Sequence, residues 1–403
     1  MPVATKSATA AVPVIASEAE AVRVAREYAA SIVGGAAERD RAGTVPAAEL
    51  AALDASGLLG ITVPREYGGA DVTAATLAEV VRVIAAADPA IAQVPQSHYL
   101  FVDVLAVLAA PPPRRRLLAE VLAGGRVSNG MAERGGHHAQ DLRTRLSGGR
   151  LTGRKYYCTG ALTARWIGVT ALDDADRMVL AFVPRDAPGV VLDQEWNVMG
   201  QRATVSGGAV FDDVPVEQDL VIDYQAAFGA PQQFGARTQL VHAAIEVGIA
   251  GGALADAGEF LRTRARPFFE AARAGWAETA IADPHTVHAF GRLATRVAAA
   301  EALLAAAAAT LDGIGRVPPD AATAARGSVA VAQAKAFGTE VAAEVASELF
   351  SLSGASAADA RHDLDRHWRN ARTHGSHDPV SWKYHHVGNY LLGGTPPPNH
   401  GQI

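Results

Sequence analysis

The chain has 403 residues, 49% of them hydrophobic and 19% charged, which is enough for two or three segments around a large core. Its net charge of −6 provides no basic field of the kind that attracts nucleic acid, so we exclude that class of partner. The single Cys158 excludes an internal disulfide framework and indicates either a reducing compartment or indifference to redox state, so we expect a cytoplasmic protein by default.

The first quarter of the chain has a helical pattern. Residues 1–16 lack the long apolar stretch of a signal peptide and are predicted to be a disordered tail. Ser17 followed by Glu20 forms a capping-box pattern, and apolar residues at helical spacing follow it. The sequence therefore predicts an N-terminal helical domain over residues 17–125. The longest apolar run begins at Val297 and falls short of about 20 residues, so no membrane segment is expected.

The middle of the chain changes character. The stretches "RLTGRKYYCTGA", "RMVLAFVPRD" and "GGAVFDDVPV" place β-branched and aromatic residues between Gly, Pro and Asp, which is typical of short antiparallel strands. From residue 236 the sequence is again helical, rich in alanine and interrupted by prolines, as in a helical bundle. The sequence thus predicts a mainly α fold with a β domain over 126–225 and a helical bundle over 236–403.

Several motifs carry a resemblance to a known family. The stretches "ITVPREYGG", "GRKYYCTGA" and "GIAGGALADA" occur in an order that resembles the acyl-CoA dehydrogenase superfamily over nearly the whole chain. The stretches "WNVMGQRATVSG" and "DRHWRNARTHGSHDPVSWKYHHVGNYLL" are most similar to its flavin-dependent monooxygenase branch. That branch includes dibenzothiophene monooxygenase and the sulfur-acquisition oxidoreductases linked to dimethyl sulfone use.

The residue available as a base separates the two activities of this superfamily. A dehydrogenase needs a carboxylate, normally Glu, to remove the α-proton while hydride passes to the flavin. The resemblance places Thr238 at one location of that base and Asp378 at the other. Asp is one methylene shorter and precedes Pro379, which restricts its backbone. The resemblance therefore favours a monooxygenase, and an FAD-dependent acyl-CoA dehydrogenase with Asp378 as base is the alternative.

The same comparison bears on the cofactor. FAD-binding members of the superfamily have paired glycines near the adenylate half, where this chain has Ser351 and Leu352, whose side chains would obstruct close approach. We therefore expect reduced FMN, with FAD as the alternative. No strand is followed by a G-x-G-x-x-G fingerprint for a nicotinamide cofactor, so a separate NAD(P)H:flavin reductase is expected to supply the reduced flavin.

The resemblance also implies the catalytic groups. It places His377 beside the flavin, where an imidazole could stabilise a C4a-(hydro)peroxyflavin by hydrogen bonding or proton exchange. The alternative for His377 is a helix-terminal histidine that caps backbone carbonyls. His374 could orient the flavin or fill the same layer, and Asn129 could contact the reacting oxygen or form a plain turn. No spacing pairs the histidines with carboxylate or cysteine ligands, so no metal site is predicted.

Other positions are expected to contact the cofactor. Thr159 could bond near flavin N5, and Trp196 suits contact with the ring, with strand packing and core filling as the respective alternatives. For the phosphate, the resemblance implies an arginine from a neighbouring subunit, and Arg266 or Arg264 is the candidate. The full set of expected flavin contacts is Tyr157, Thr159, Gly160, Trp196, Ser206, Arg264, Arg266, Arg369 and Asn370.

The resemblance also implies a substrate pocket, an oligomeric state and a reaction. The substrate pocket is predicted to include Gln93, Ser97, His98 and Phe101, and it differs from that of the sulfide-oxidising relative at the first two positions. The resemblance implies a homotetramer, or a dimer as minimal unit, that uses oxygen and reduced FMN to oxygenate a small, organosulfur substrate. A protein that keeps the fold but binds no flavin is a third possibility, disfavoured by the many retained flavin-facing positions.

Overall fold

The computed structural model describes residues 11–138, 141–316 and 318–402. The first ten residues of the predicted tail lie outside this part. Between residue 11 and the first helix the chain has no regular structure, but Ile15 is only 3% exposed. The expected disorder therefore does not extend to Ile15, because its side chain joins the hydrophobic core.

Seven α-helices form the described part of the N-terminal region. Ser17 caps the first by accepting from the Glu20 amide at 3.2 Å, and the Glu20 carboxylate accepts from the Ala16 amide at 2.9 Å, much as the capping box predicts. Asp88 caps the fifth, which starts with a proline. The helices are α1 Glu18–Ile32, α2 Ala36–Ala42, α3 Ala47–Ala55, α4 Ala74–Ala87, α5 Pro89–Gln93, α6 Gln96–Leu108 and α7 Pro111–Leu122.

The middle region forms one eight-stranded sheet. Its strands are β1 Val127–Gly130, β2 Arg145–Ser147, β3 Arg150–Lys155, β4 Trp166–Leu172, β5 Met178–Pro184, β6 Val190–Leu192, β7 Ala209–Pro215 and β8 Val221–Asp223. The strand order is β6-β7-β3-β2-β4-β5-β8, with β1 beside β4. Most pairings are antiparallel as predicted, but β1 and β2 each pair with β4 in parallel. In the chain, the antiparallel hairpin of β2 and β3 lies between β1 and β4. Strand β4 therefore runs in the same direction as β1.

The C-terminal region is a helical bundle. Asp283 and Asp320 cap its two long helices by accepting from amides of their first turns, which is the preferred role of Asp at such positions. The helices are α8 Ala226–Gly229, α9 Phe234–Thr263, α10 Phe269–Arg273, α11 Pro284–Ile314, α12 Ala321–Ser353, α13 Asp365–His374 and α14 Val380–Gly393. This arrangement confirms the predicted fold class of helices, a central sheet and a second set of helices.

Helix α9 lies at the centre of the molecule. It packs against α4 on one side and against α12 and α11 on the other, and alanines such as Ala243, Ala244 and Ala250 are fully buried there. Small side chains let the helix backbones approach closely, which explains why an alanine-rich sequence forms this bundle. A second apolar cluster lies between α6, α7 and the sheet, where Phe101 meets Phe182 edge to face.

Three helical stretches of the described residues are long and apolar enough to cross a membrane by length and composition alone. They are Pro89–Leu108, Phe234–Thr263 and Pro284–Ile314, and their most apolar windows are 83%, 78% and 33% buried inside the fold. The apolar run from Val297 is thus part of a 31-residue helix. The expectation that this segment is too short to cross a membrane is therefore wrong as far as length is concerned. The first two stretches are core helices, whereas α11 leaves much of its apolar surface uncovered.

Arg126 joins the N-terminal helices to the sheet. Its buried guanidinium pairs with Asp54 at 2.9 Å, donates to Thr163 Oγ1 at 2.9 Å and donates to the Gly160 carbonyl at 3.3 Å. The Gly160 backbone has a φ of 75°, which favours glycine. Arg126 therefore fixes the turn that follows β3.

We predict that Arg126→Met lowers the free energy of unfolding by on the order of 2 kcal/mol, because Asp54 and the Gly160 carbonyl lose their buried partner. The matched control is Arg150→Met, which breaks an exposed pair with Asp213 and should cost less than about 1 kcal/mol. Urea unfolding of both variants measures the difference. Equal losses of unfolding free energy in the two variants would show that the buried contacts of Arg126 do not stabilise the packing of the N-terminal helices on the sheet.

Candidate active site

One side of the candidate site is the turn after β3 together with the loop from residue 194 to 206. Tyr157 has a φ of 57° and an exposed side chain whose ring lies edge-on to Trp196, with centroids 6.2 Å apart. The Trp196 indole donates to the Gln201 carbonyl at 2.9 Å. These contacts hold two aromatic rings at the surface of the sheet, as the resemblance implied.

A chain of hydroxyl groups runs behind these rings. The Thr159 and Ser206 hydroxyls are 2.7 Å apart, Ser206 donates to Thr204 at 2.9 Å, and Thr204 donates to the Gln201 carbonyl at 2.9 Å. Both Thr159 and Ser206 are buried. The structure therefore brings these two predicted residues together, and their mutual bond fixes where the hydroxyls point.

Helix α13 holds the same loop from below. Asn370 accepts from the Gln201 amide at 2.5 Å, and a Cβ on Gly200 would lie 2.0 Å from the Arg369 carbonyl. The Arg369 guanidinium pairs with Asp40, Asp363 and Asp365. Arg369 thus forms a salt bridge between α13 and α2, through Asp40. Arg369 and Asn370 position the loop, and their predicted direct contact with the cofactor is not supported.

The other side of the site is a row of three side chains from α5 and the end of α13. His377 donates its Nδ1 proton to the His374 carbonyl at 2.7 Å, so the lone pair of its neutral ring lies on Nε2. The Gln93 amide lies between the two histidines, with Nε2 at 3.4 Å from His377 Nε2 and Oε1 at 3.1 Å from His374 Nε2. The predicted His377, His374 and Gln93 therefore form one hydrogen-bonded row.

A buried carboxylate anchors this row. His374 Nδ1 donates to Glu246 at 2.7 Å, and Lys335 Nζ lies 3.6 Å from the same oxygen. Burial alone would raise the pKa of the Glu246 carboxyl, but His374 and Lys335 together hold it below its usual range. Burial lowers the pKa of His374 and of His377, and the charge of His374 lowers that of His377 further. His377 is nevertheless exposed in the single chain, so it faces open space.

Helix α9 contributes a third imidazole that the sequence analysis missed. His242 Nδ1 is 3.1 Å from His374 Nε2, and burial lowers its pKa well below the usual value. Thr238, His242 and Glu246 recur at intervals of four, which places them on one helix face. That spacing was a readable signal in the sequence. No metal site is predicted from the sequence, but one nitrogen from each of His242, His374 and His377 lies within 4.8 Å of the other two.

The two sides of the site are in contact. The Val94 side chain lies so close to Gly160 that a Cβ there would be 2.9 Å from it, and α5 packs against residues 202–204. Asn129, at the end of β1, donates to the Tyr157 carbonyl at 3.3 Å and accepts from the Met131 amide at 2.9 Å. Asn129 therefore braces the turn, which is closer to the turn role that we considered.

The possible dehydrogenase base is engaged elsewhere. Asp378 is buried, and its carboxylate pairs with Lys383 Nζ at 2.5 Å and lies 4.0 Å from Lys335 Nζ. Thr238, at the other possible location, has a hydroxyl and no carboxylate. The structure thus supplies no free carboxylate at either location of a dehydrogenase base.

Of the four residues predicted for the substrate pocket, two lie beside the candidate site and two belong to the core. Gln93 and Ser97 are buried beside the site helices. His98 is wrong as a pocket residue, because its Nε2 bonds the Leu59 carbonyl at 2.9 Å and its Nδ1 accepts from the Val127 amide at 3.1 Å. Phe101 is also wrong, because it is fully buried between Gly168 and Phe182. Both residues serve the core between α6 and the sheet.

The predicted phosphate arginines are remote from this site in a single chain. Arg264 ends α9, and Arg266 follows it, both with exposed side chains. Arg264 lies 22 positions after His242, so at a rise of 1.5 Å per residue the helix separates them by about 33 Å. Neither arginine can reach a flavin at this site unless a second copy presents it.

The residues present fit a flavin ring. Tyr157 is exposed and Trp196 is half-buried, and both polar atoms of the buried Gln201 amide and the Thr238 hydroxyl have no hydrogen-bond partner among the described residues. Buried polar groups are normally paired, so the unpaired Gln201 amide beside Trp196 is available to a polar ligand. A planar ring with polar edges satisfies these conditions. An apolar recess beside Asp103 and Arg237 is separate, because none of the residues of the candidate site lines it.

Comparison with known proteins identifies the family. Residues 16–125 match the acyl-CoA dehydrogenase N-terminal domain, and residues 240–382 match the acyl-CoA dehydrogenase C-terminal domain. Dibenzothiophene monooxygenase of Rhodococcus erythropolis is 33% identical, over 95% of each chain. The probable FMNH2-dependent monooxygenase SfnC of Pseudomonas putida is 31% identical, over 94% of this chain and 96% of SfnC.

Solved structures agree with this match. The FMN-bound TdsC of Paenibacillus sp. A11-2 superposes with a TM-score of 0.89 at 30% identity, over 95% of this chain and all of TdsC. Methanesulfinate monooxygenase MsuC of Pseudomonas fluorescens superposes with a TM-score of 0.87 at 28% identity, over 95% of this chain and 99% of MsuC. The chain belongs to the acyl-CoA dehydrogenase superfamily, in the branch of flavin-dependent monooxygenases that contains dibenzothiophene monooxygenase.

Proposed function

We propose that this chain is the oxygenase of a two-component monooxygenase, which takes reduced FMN from a separate reductase and oxygenates a small organosulfur compound. The balanced reaction for a sulfide consumes reduced FMN, O₂ and R₂S and yields FMN, R₂SO and water. The row of Gln93, His374 and His377 at the position of the dehydrogenase base carries this proposal. The names of the relatives and their FMN-bound structure support it.

When bound, reduced FMN supplies the electrons that activate oxygen. The protein groups bind the ring, exclude water and hold protons. Tyr157 and Trp196 offer the ring a surface, and the unpaired Gln201 amide offers it polar contacts. His377 is the exposed residue of the row and its Nδ1 is bonded to the His374 carbonyl, so its Nε2 is the atom that exchanges a proton with the reacting oxygen.

The Gln93 amide connects His377 to His374 through one hydrogen bond to each ring. In the present arrangement the amide nitrogen donates to His377 Nε2 and the amide oxygen accepts from His374 Nε2. When His377 carries a second proton, its Nε2 becomes a donor, and a rotated Gln93 amide presents its oxygen to that proton. Glu246 fixes His374 throughout, so Glu246 is a positioning residue that acts through His374 and Gln93.

We expect His377→Ala to lower the yield of oxygenated product by about 10²-fold, the usual size of a general acid or base contribution. Oxygen uptake should continue and release hydrogen peroxide, because the flavin still reacts. Product and peroxide per oxygen consumed are measured with dibenzothiophene and with methanesulfinate, using reduced FMN from an added reductase. The control is His385→Ala, on the exposed face of α14. A product yield equal to that of the control would remove His377 from the chemistry.

We expect Glu246→Gln to uncouple oxygen uptake from product formation and also to destabilise the fold by about 3 kcal/mol, because Lys335 loses its buried counter-ion. The double variant Glu246→Gln with Lys335→Met removes that unpaired charge. It should recover stability in thermal unfolding but stay uncoupled. Recovery of product yield together with stability would show that Glu246 is only structural.

We further propose that the active unit is a homotetramer, or at least a dimer, in which a second copy brings Arg264 or Arg266 to the FMN phosphate. Guanidinium groups suit that phosphate, and both arginines lie beyond reach of the site in their own chain. Large apolar side chains exposed beside them support a covered surface. These side chains are Phe268, Phe269, Trp276, Ile281 and Val287.

The cytoplasm is the proposed location, and neither nucleic acid nor a membrane is proposed as a partner. The net charge of −6 is unfavourable for binding nucleic acid. The single free cysteine, Cys158, is buried and forms no disulfide. The uncovered face of α11 is assigned to contact between copies of the chain.

We expect Trp276→Glu to reduce the oligomer and to weaken FMN binding by about tenfold or more, since the phosphate loses its guanidinium partner. Light scattering gives the mass and fluorescence titration gives the FMN affinity. Val191→Glu, at an exposed position of β6, is the matched control and should change neither. A monomeric Trp276→Glu variant that binds FMN normally would contradict the shared site.

A further inference from the structure

The imidazole rings of His242, His374 and His377 are arranged as a triangle. Their ring centroids are 5.1 Å apart for His242 and His374, 4.7 Å for His242 and His377, and 4.9 Å for His374 and His377. A tetrahedral zinc ion with nitrogens at 2.0–2.1 Å keeps those nitrogens about 3.4 Å apart. His242 Nδ1 and His374 Nε2 are already at 3.1 Å, and all three nitrogens lie within 4.8 Å.

The outer nitrogens of two rings are already fixed. His374 Nδ1 donates to the Glu246 carboxylate at 2.7 Å, and His377 Nδ1 donates to the His374 carbonyl at 2.7 Å. Metal-binding histidines are usually oriented in this way, by a carboxylate or a backbone carbonyl on the nitrogen that does not bind the metal. Both bonds leave Nε2 as the nitrogen that can bind a cation. Both Nε2 atoms now contact the Gln93 amide, so a bound cation displaces that amide and releases the proton that His374 Nε2 donates to it.

The geometry points to a binding site for a divalent zinc-like cation, with His242, His374 and His377 as its three ligands. Imidazole suits zinc and similar borderline cations, whereas Mg²⁺ and Ca²⁺ prefer oxygen ligands. The exposed side chain of His377 leaves an open side for entry and for a fourth ligand. Glu246 offsets part of the added charge, and Lys335, 3.6 Å from it, opposes that charge.

Occupancy of this site has a consequence for catalysis, which rests on the proposed function. A cation on His377 Nε2 takes the lone pair that faces Gln93, so that nitrogen can no longer exchange a proton. Zinc is therefore an inhibitor of product formation that acts on the histidine row. Removal of the cation by a chelator restores the row and with it the activity.

The site is tested by titrating the purified protein, with and without FMN, with Co²⁺ and then displacing it with Zn²⁺. The visible absorption of Co²⁺ reports a tetrahedral nitrogen site. One cation per chain is expected, and His242→Ala should weaken binding by about 100-fold. The double control His385→Ala with His386→Ala removes two histidines of α14 and should bind as the unaltered protein does. Mg²⁺ should not compete.

Several outcomes overturn the site. They are the absence of tetrahedral Co²⁺, binding unchanged in His242→Ala, or binding lost in the control. His242→Asn is the second variant if His242→Ala fails to fold by circular dichroism. Failure of the proposed function gives a different pattern, in which the metal-free protein makes no oxygenated product but the Co²⁺ spectrum still appears. Tight Zn²⁺ binding with unchanged product yield would overturn the inhibition alone.

Discussion

The buried carboxylate of Glu246 is the interaction on which the site depends. It lies fully buried on the central helix and faces both His374 and Lys335. An unpaired carboxylate at that position would cost several kcal/mol, so the partners are required by the fold. Because His374 is held by this carboxylate, Gln93 and then His377 take defined positions. The buried Glu246 carboxylate thus determines the positions of His374, Gln93 and the exposed His377.

The sheet side of the site is held by a different means. Gln201 and Val205 have φ values of 54° and 40°, and such left-handed backbone costs about 1–3 kcal/mol for each residue. The hydroxyl chain from Thr159 and the Asn370 bond to the Gln201 amide hold the loop in this conformation. Strain of this kind is tolerated where a surface must be preorganised, and here that surface is the one offered to the flavin ring.

The fold and part of the site could be predicted from the sequence. Capping residues, glycines and prolines predicted the helices and strands, and the resemblance to the family implied Thr159, Ser206, Trp196, His374 and His377 as site residues. The sequence could not show that Arg369 pairs with Asp40 or that His98 bonds Leu59 and Val127, because those partners are distant in the chain. Asp365 lies four residues before Arg369, so that pair was readable from helical spacing. His242 was missed although its spacing with Thr238 and Glu246 was readable, because its contact with His374 exists only where α13 packs beside α9.

The central claim is that histidines replace the dehydrogenase carboxylate, because Asp378 is held by lysines. The most direct measurement mixes the anaerobic protein and reduced FMN rapidly with oxygenated buffer and follows the return of oxidised flavin. The account predicts that the protein delays this return about tenfold or more relative to free reduced FMN, since a site that excludes water protects activated oxygen. Undelayed reoxidation, together with uptake of FAD that an acyl-CoA then bleaches, would contradict it.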